Sequence, residues 1–147
     1  MENLVKLLTE LYSLPDNDIA LLLREGEEEE LRKGDILFKE GRTDSSFYLL
    51  TNGIIRGFRD EGEREITLWF AFPGEVVFST WGYVEGAPSR MTIGASCNST
   101  LLSYTKEQIE KLFLATPALG KWGRDVLFRL LLTTDQSLTD FSSPSAK

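Results

Sequence analysis

The first dozen residues place leucines at three- and four-residue steps. Leu4, Leu7, Leu8 and Leu11 fall on one stripe, which predicts an amphipathic helix ended by Pro15. A second short helix follows. Asp16 is its expected N-cap, Ile19, Leu22 and Leu23 form its buried side, and Gly26 closes it at C′. From there the pattern changes to short β-rich runs at 28–32, 36–39, 46–51, 54–59, 64–70, 76–78, 91–96 and 100–104. Between them Lys33-Gly34-Asp35, Glu40-Gly41, Asn52-Gly53 and Glu61-Gly62 read as turns, where glycine or asparagine can take positive φ. Short, evenly spaced strands of this kind predict a sandwich or barrel. The acidic run Glu27–Glu30 reads as a solvated strand edge, its charges blunting edge pairing.

After Tyr104 the period turns helical again. Thr105 and Gln108 make a capping-box pattern, and Ile109, Leu112 and Phe113 share one side up to Pro117. A longer helix is then expected, with Leu119, Trp122, Val126, Leu130 and Thr133 at helical spacing and further apolar residues at Leu127, Leu131 and Leu138. That many apolar positions exceed one contact face, so burial on two sides is expected: the β domain and a partner helix. Trp122, Val126, Leu130 and Thr133 are the expected dimer seam. Trp69, Phe70, Phe72 and Phe78 are expected in the core, while Trp81 and Tyr83 lie in a loop.

Composition narrows the chemistry. A chain of 147 residues fits one compact domain with an appended helix. It has no histidine, which removes the commonest general base and the usual zinc and non-haem iron ligands, so neither enzyme nor metal site is expected. Its formal charge of −7 argues against gripping nucleic acid through phosphate neutralisation. The lone Cys97 cannot form an intrachain disulfide; it reads as a buried, inert thiol and fits a cytoplasmic location. The first residues lack the features of a signal peptide, and no apolar run reaches membrane-spanning length.

The segments "LRKGDILFKEGRTDSSFYLLTNGIIRGF" (31–58) and "EREITLWFAFPGEVV" (63–77), with the run to Tyr104, resemble the effector domain of the Crp/Fnr family of bacterial transcription regulators. The resemblance implies a mainly β fold with flanking helices: a double-stranded β-helix jelly roll, N-terminal helices and a long C-terminal dimerisation helix. Gly34, Gly41, Gly53 and Gly74 would punctuate its strands. It also implies a division into a β-roll domain with its helices at 1–116, a dimerisation helix at 117–141, and a linker or truncated end at 142–147. A DNA-binding domain would lie outside this chain.

Cyclic-nucleotide binders of this type carry a Gly-Glu-Leu-like triplet, a short helix and an Arg-Ser or similar pair. Helix-terminal N–H groups and the arginine hold the phosphate, and the glutamate accepts from the ribose hydroxyl. With Gly74 and Gly86 in register, the triplet falls on Phe78-Ser79-Thr80 and the pair on Ser89-Arg90, reversed. A bulky ring, a short neutral acceptor and a displaced arginine argue against cyclic AMP held in the usual way. No other cofactor is expected. The candidate ligand residues are Phe78, Ser79, Thr80, Trp81, Ser89 and Arg90, with Thr134 and Asp135 on the last helix. Arg90 has a plainer reading as a surface residue paired with Glu85 or another acid.

The leading expectation is an effector-sensing, homodimeric module of a Crp/Fnr-like regulator, responding to an unidentified small molecule and reaching DNA only through a part not in this chain. The alternatives are a ligand-free structural and dimerisation module, or a cyclic AMP- or cyclic GMP-binding domain with an altered loop. A cupin-type enzyme shares the jelly roll but typically needs histidines.

Overall fold

The computed structural model describes the backbone of residues 2–142 and the side chains of residues 3–133. Two helices, α1 (Glu2–Tyr12) and α2 (Asp16–Glu25), precede the strands. The strands are β1 (Glu27–Leu31), β2 (Ile36–Phe38), β3 (Phe47–Asn52), β4 (Ile55–Glu61), β5 (Arg64–Ala71) and β6 (Val76–Phe78). A short helix α3 (Thr80–Glu85) interrupts them before β7 (Thr92–Ala95) and β8 (Ser99–Tyr104). Helices α4 (Lys106–Ala115) and α5 (Pro117–Ser142) complete the order.

All strand pairs are antiparallel and form two four-stranded sheets. The front sheet runs β1-β8-β3-β6 and the back sheet β2-β7-β4-β5, which makes the expected jelly roll. Gly34, Gly41, Gly53, Gly62 and Gly74 all have φ between 74° and 99°, the left-handed side of the map, as expected of turns. The acidic β1 is an edge strand, as expected, and is held by β8 alone.

Alternation along the front sheet builds two cores. Tyr48, Leu50, Val77 and Leu101 point between the sheets and meet Phe38, Ile55, Ala71, Ile93 and Ala95 from the back sheet. Phe47, Leu49, Leu102 and Tyr104 point the other way, into a second core closed by Leu8, Ile19, Leu22, Ile109, Leu119 and Trp122 from the helices. The joint between α4 and α5 is tied to α2: the Thr116 hydroxyl donates to Asp18 Oδ1 at 2.5 Å and accepts from Leu119 N at 3.1 Å. The capping box at Thr105 and Gln108 forms as expected.

Four local expectations are corrected. The N-cap of α2 is Pro15, not Asp16; its carbonyl accepts from the N–H groups of Asp18 and Ile19. Gly26 is extended, at φ −84°; glycine fits there because a Cβ would sit 2.8 Å from the Tyr104 ring. Phe70 and Phe72 are not core but about half exposed. Phe70 pairs with Arg56 across strands, one position out of phase with the inward Ile55 and Ala71, and so lies on the outer face of the back sheet. Cys97 is only half-buried, in the turn before β8.

The expected dimer seam is also corrected in part. Trp122 is 1% exposed and Val126 4%, both within this chain's own core; Trp122 meets Tyr12, Phe47 and Phe113. Leu130 packs on the same core, and Thr133 is exposed with its hydroxyl donating to the Arg129 carbonyl at 3.0 Å. The seam spacing therefore marks the face that α5 turns inward. A second apolar stripe is exposed on α5, made of Leu127, Phe128, Leu131 and Leu132.

Candidate effector site

The segment from β6 to β7 carries the sequence candidates, and its backbone is fixed at several points. Ser79 is 5% exposed and its Oγ accepts from Gly82 N at 3.0 Å, capping α3. Gly86 closes α3 in the left-handed conformation, with its N–H donating to the Gly82 carbonyl. Gly82 lies flat against the Asp44 carbonyl, where a Cβ would collide with backbone. Beyond α3, Ser89 N donates to the Arg42 carbonyl and Gly41 N to the Ser89 carbonyl, each at 2.8 Å. Ser89 Oγ donates to the Met91 carbonyl at 2.6 Å. The segment is thus stitched to the β2–β3 loop at Ser89 and abuts it at Gly82.

Each candidate side chain is directed by this frame. Phe78 follows Val77 by one residue on β6 and so faces the helices, stacked on Phe47 with centroids 5.5 Å apart and packed beside Tyr83. It does not enter the space between the sheets, so it is neither a ligand contact there nor a plug. Thr80 is exposed at the first position of α3. Trp81 is 40% exposed, and the Arg90 guanidinium lies over its ring, 3.8 Å from the centroid. Among the described residues Arg90 forms no ion pair, so the pairing with Glu85 is not found. Ser79 and Ser89 spend their hydroxyls on local backbone. Thr134 and Asp135 lie outside the residues whose side chains are described.

Several residues outside the set of ligand candidates do more. The Tyr48 hydroxyl donates to Asp44 Oδ2 at 2.7 Å from inside the roll, and burial with this carboxylate pushes its pKa well up. Tyr83 is pushed up to about 12 by burial and the Glu110 carboxylate. Lys106 on α4 reaches back to donate to the Tyr83 carbonyl at 2.6 Å. On the back sheet the Trp69 indole lies on Gly57, and its Nε1 donates to Met91 Sδ at 3.2 Å. Only α3 had a sequence signal: Ser79 and Gly86 bracket it as start and stop residues.

Two surface clefts lie at the opposite end of the roll. One, of about 450 Å³, is lined by Arg32, Asp35, Asn52 and Asn98 among others. The other, of about 630 Å³, opens between α1 and the front sheet beside Leu4, Leu7 and Pro73. Neither includes a residue of 78–91. Among the described residues there is no cluster of His, Cys, Asp or Glu able to hold a metal, and no helix long and apolar enough to cross a membrane.

Residues 28–116 match the cyclic nucleotide-binding domain family, and the chain belongs to it. Its structural neighbours include transcription regulators of the Crp/Fnr type. The catabolite activator protein of Thermus thermophilus superposes with a TM-score of 0.75 at 24% identity, over 92% of this chain and 63% of that one. This chain therefore spans less than two thirds of that protein's length. The N-terminal domain of a transcriptional regulator from Streptomyces coelicolor A3(2) gives 0.65 at 26% identity, over 88% and 91%. A cyclic nucleotide-binding domain from Methylobacillus flagellatus gives 0.77 at 15% identity, over 98% and 83%. No match was found among curated proteins.

Proposed function

We propose that this chain is the effector-sensing and dimerisation domain of a Crp/Fnr-like cytoplasmic transcription regulator, with no catalytic role, and that it does not hold cyclic AMP in the usual way. The observation that carries the sensing role is a run of ring contacts from the candidate segment to the long helix. Phe78 stacks on Phe47, and Phe47 meets Trp122 edge-on with centroids 6.0 Å apart. A shift of α3 or β6 thus presses on α5 through packed, incompressible rings. Lys106 adds a polar tie from α3 to α4.

The case against cyclic AMP rests on the groups available. A cyclic phosphate needs a cation and free N–H donors, yet the exposed Arg90 lies over Trp81 and Ser79 already takes the Gly82 N–H of α3. The ribose acceptor is missing. In this reading the effector is another small molecule, and DNA is read by a part of the regulator outside this chain.

Dimerisation is assigned to the exposed stripe Leu127, Phe128, Leu131 and Leu132, which runs at four-residue steps along a helix of about 39 Å. Light scattering on the purified chain tests this: a dimer supports the assignment, and a monomer at all concentrations contradicts it. The ligand-free alternative draws on one observation, the half-buried Trp69 indole lying on Gly57 at the inward side of the back sheet. It predicts that no compound in a broad screen raises the melting temperature.

A further inference from the structure

Three turns meet at the end of the roll opposite the candidate segment. The β1–β2 turn is joined to β7 and the β7–β8 turn, where Lys33 N donates to Asn98 Oδ1 at 2.9 Å and Gly34 N to the Ala95 carbonyl at 2.8 Å. The β3–β4 turn lies against the same place, since a Cβ on Gly53 would collide with Ser99 Oγ and the Asn98 carbonyl. Ser99 Oγ accepts from Ile54 N at 3.2 Å and donates to the Cys97 carbonyl at 2.8 Å. The cleft of about 450 Å³ is lined from these turns, so its walls are cross-tied before anything binds.

The lining offers charges of both signs. Asn98 gives its Oδ1 to Lys33, which fixes the carboxamide and presents Nδ2 as a donor. Asp35 gives Oδ2 to Arg32 N at 2.8 Å and keeps Oδ1 as an acceptor. Glu30 and Asn52 flank Thr100 in the register of the front sheet, a polar row about 10 Å long on one face. The Arg32 guanidinium and the carboxylates of Glu30 and Asp35 line one cleft, yet among the described residues none of the three is in an ion pair. Leu31 is the one apolar residue of the lining.

We propose that this cleft is a binding site for a free, polar α-amino acid. The carboxylate of the ligand accepts from the Arg32 guanidinium and Asn98 Nδ2, and its ammonium donates to Glu30 and Asp35. A polar side chain then lies along Thr100 and Asn52. A simple anion would meet two uncompensated carboxylates, and a simple cation would meet the arginine; only a ligand carrying both charges satisfies both. The cleft shares no residue with 78–91, so this site stands or falls independently of the reading of that segment.

The probe is L-glutamine, titrated into the isotope-labelled chain with amide resonances as the readout. The amides of Lys33, Gly53 and Asn98 should move together and saturate, with a dissociation constant on the order of 1 mM for so open a cleft. Acetate and methylammonium, each carrying one of the two charges, should bind at least tenfold more weakly. Arg32 and Glu30 are exposed, so Arg32→Gln and Glu30→Gln should keep the dispersed spectrum of the wild type, and each should weaken L-glutamine about tenfold. Absence of saturable movement at these amides overturns the proposal. So does acetate binding as tightly as L-glutamine, or undiminished affinity in a folded Arg32→Gln.

Discussion

Phe78 lies stacked on Phe47, 5.5 Å between centroids and 17° between planes, on the helix side of the front sheet. Its neighbour Val77 points into the roll. Restoring a small residue at position 78 therefore removes a packing contact without opening a phosphate site. Phe78→Gly should cost roughly 2 kcal/mol in urea unfolding and confer no cyclic AMP binding. Recovery of nucleotide binding in that variant would contradict the assigned facing of the ring.

Trp122 and Leu131 occupy different faces of α5, and their substitutions should separate. Trp122→Ala removes a ring buried among Tyr12, Phe47 and Phe113 and should cost about 4 kcal/mol, read in chemical unfolding. Leu131→Glu puts a charge on the exposed stripe; it should keep the circular dichroism spectrum and give a monomer in light scattering. Loss of fold in Leu131→Glu, or a stable folded Trp122→Ala monomer, would reverse the assignment of faces.

Gly82 is held against the Asp44 carbonyl, with no room for a methyl group. Gly82→Ala should push α3 away from the β2–β3 loop and speed amide hydrogen exchange across residues 79–91. Since the obstacle is backbone, relaxation is expensive, and a loss of about 2 kcal/mol is expected. Unchanged exchange in that segment would show that α3 does not rely on this contact.

All four tyrosines have pKa values raised from their ordinary value, with burial the largest cause. A group whose folded pKa exceeds its unfolded one contributes stability below the unfolded value and loses it as pH rises through the folded value. Stability should thus hold to about pH 10 and then fall, Tyr83 giving way toward about 12. Absorbance at 295 nm should show little tyrosinate near pH 10 in the native protein and normal ionisation in urea. Native ionisation centred at pH 10 would contradict the burial of these hydroxyls.

The strands and turns were readable because side-chain alternation and the glycines are local signals: Asn52-Gly53 marks a turn from one sheet to the other and Glu61-Gly62 a hairpin, and both read alike in sequence. Facing was harder where both options are apolar. Both stripes of α5 have helical spacing, so Trp122 and Leu131 could exchange roles on paper; the core supplied by Tyr12, Phe47 and Phe113 decides between them. Phe70 and Phe72 looked like core because large aromatics usually are, yet their phase on the back sheet turns Phe70 outward. At the candidate site the departures at 78–80 and 89–90 were visible residue by residue. The contact of Trp69 with Gly57 was not, because it joins two strands whose register only the fold defines.

The most direct test of the account is calorimetric titration of the purified chain with cyclic AMP. Arg90 lies on Trp81, and Ser79, at the position of the family's ribose acceptor by sequence register, caps α3. The account predicts no saturable heat at micromolar nucleotide, in the wild type and in Arg90→Ala alike. Micromolar binding that Arg90→Ala abolishes would contradict it.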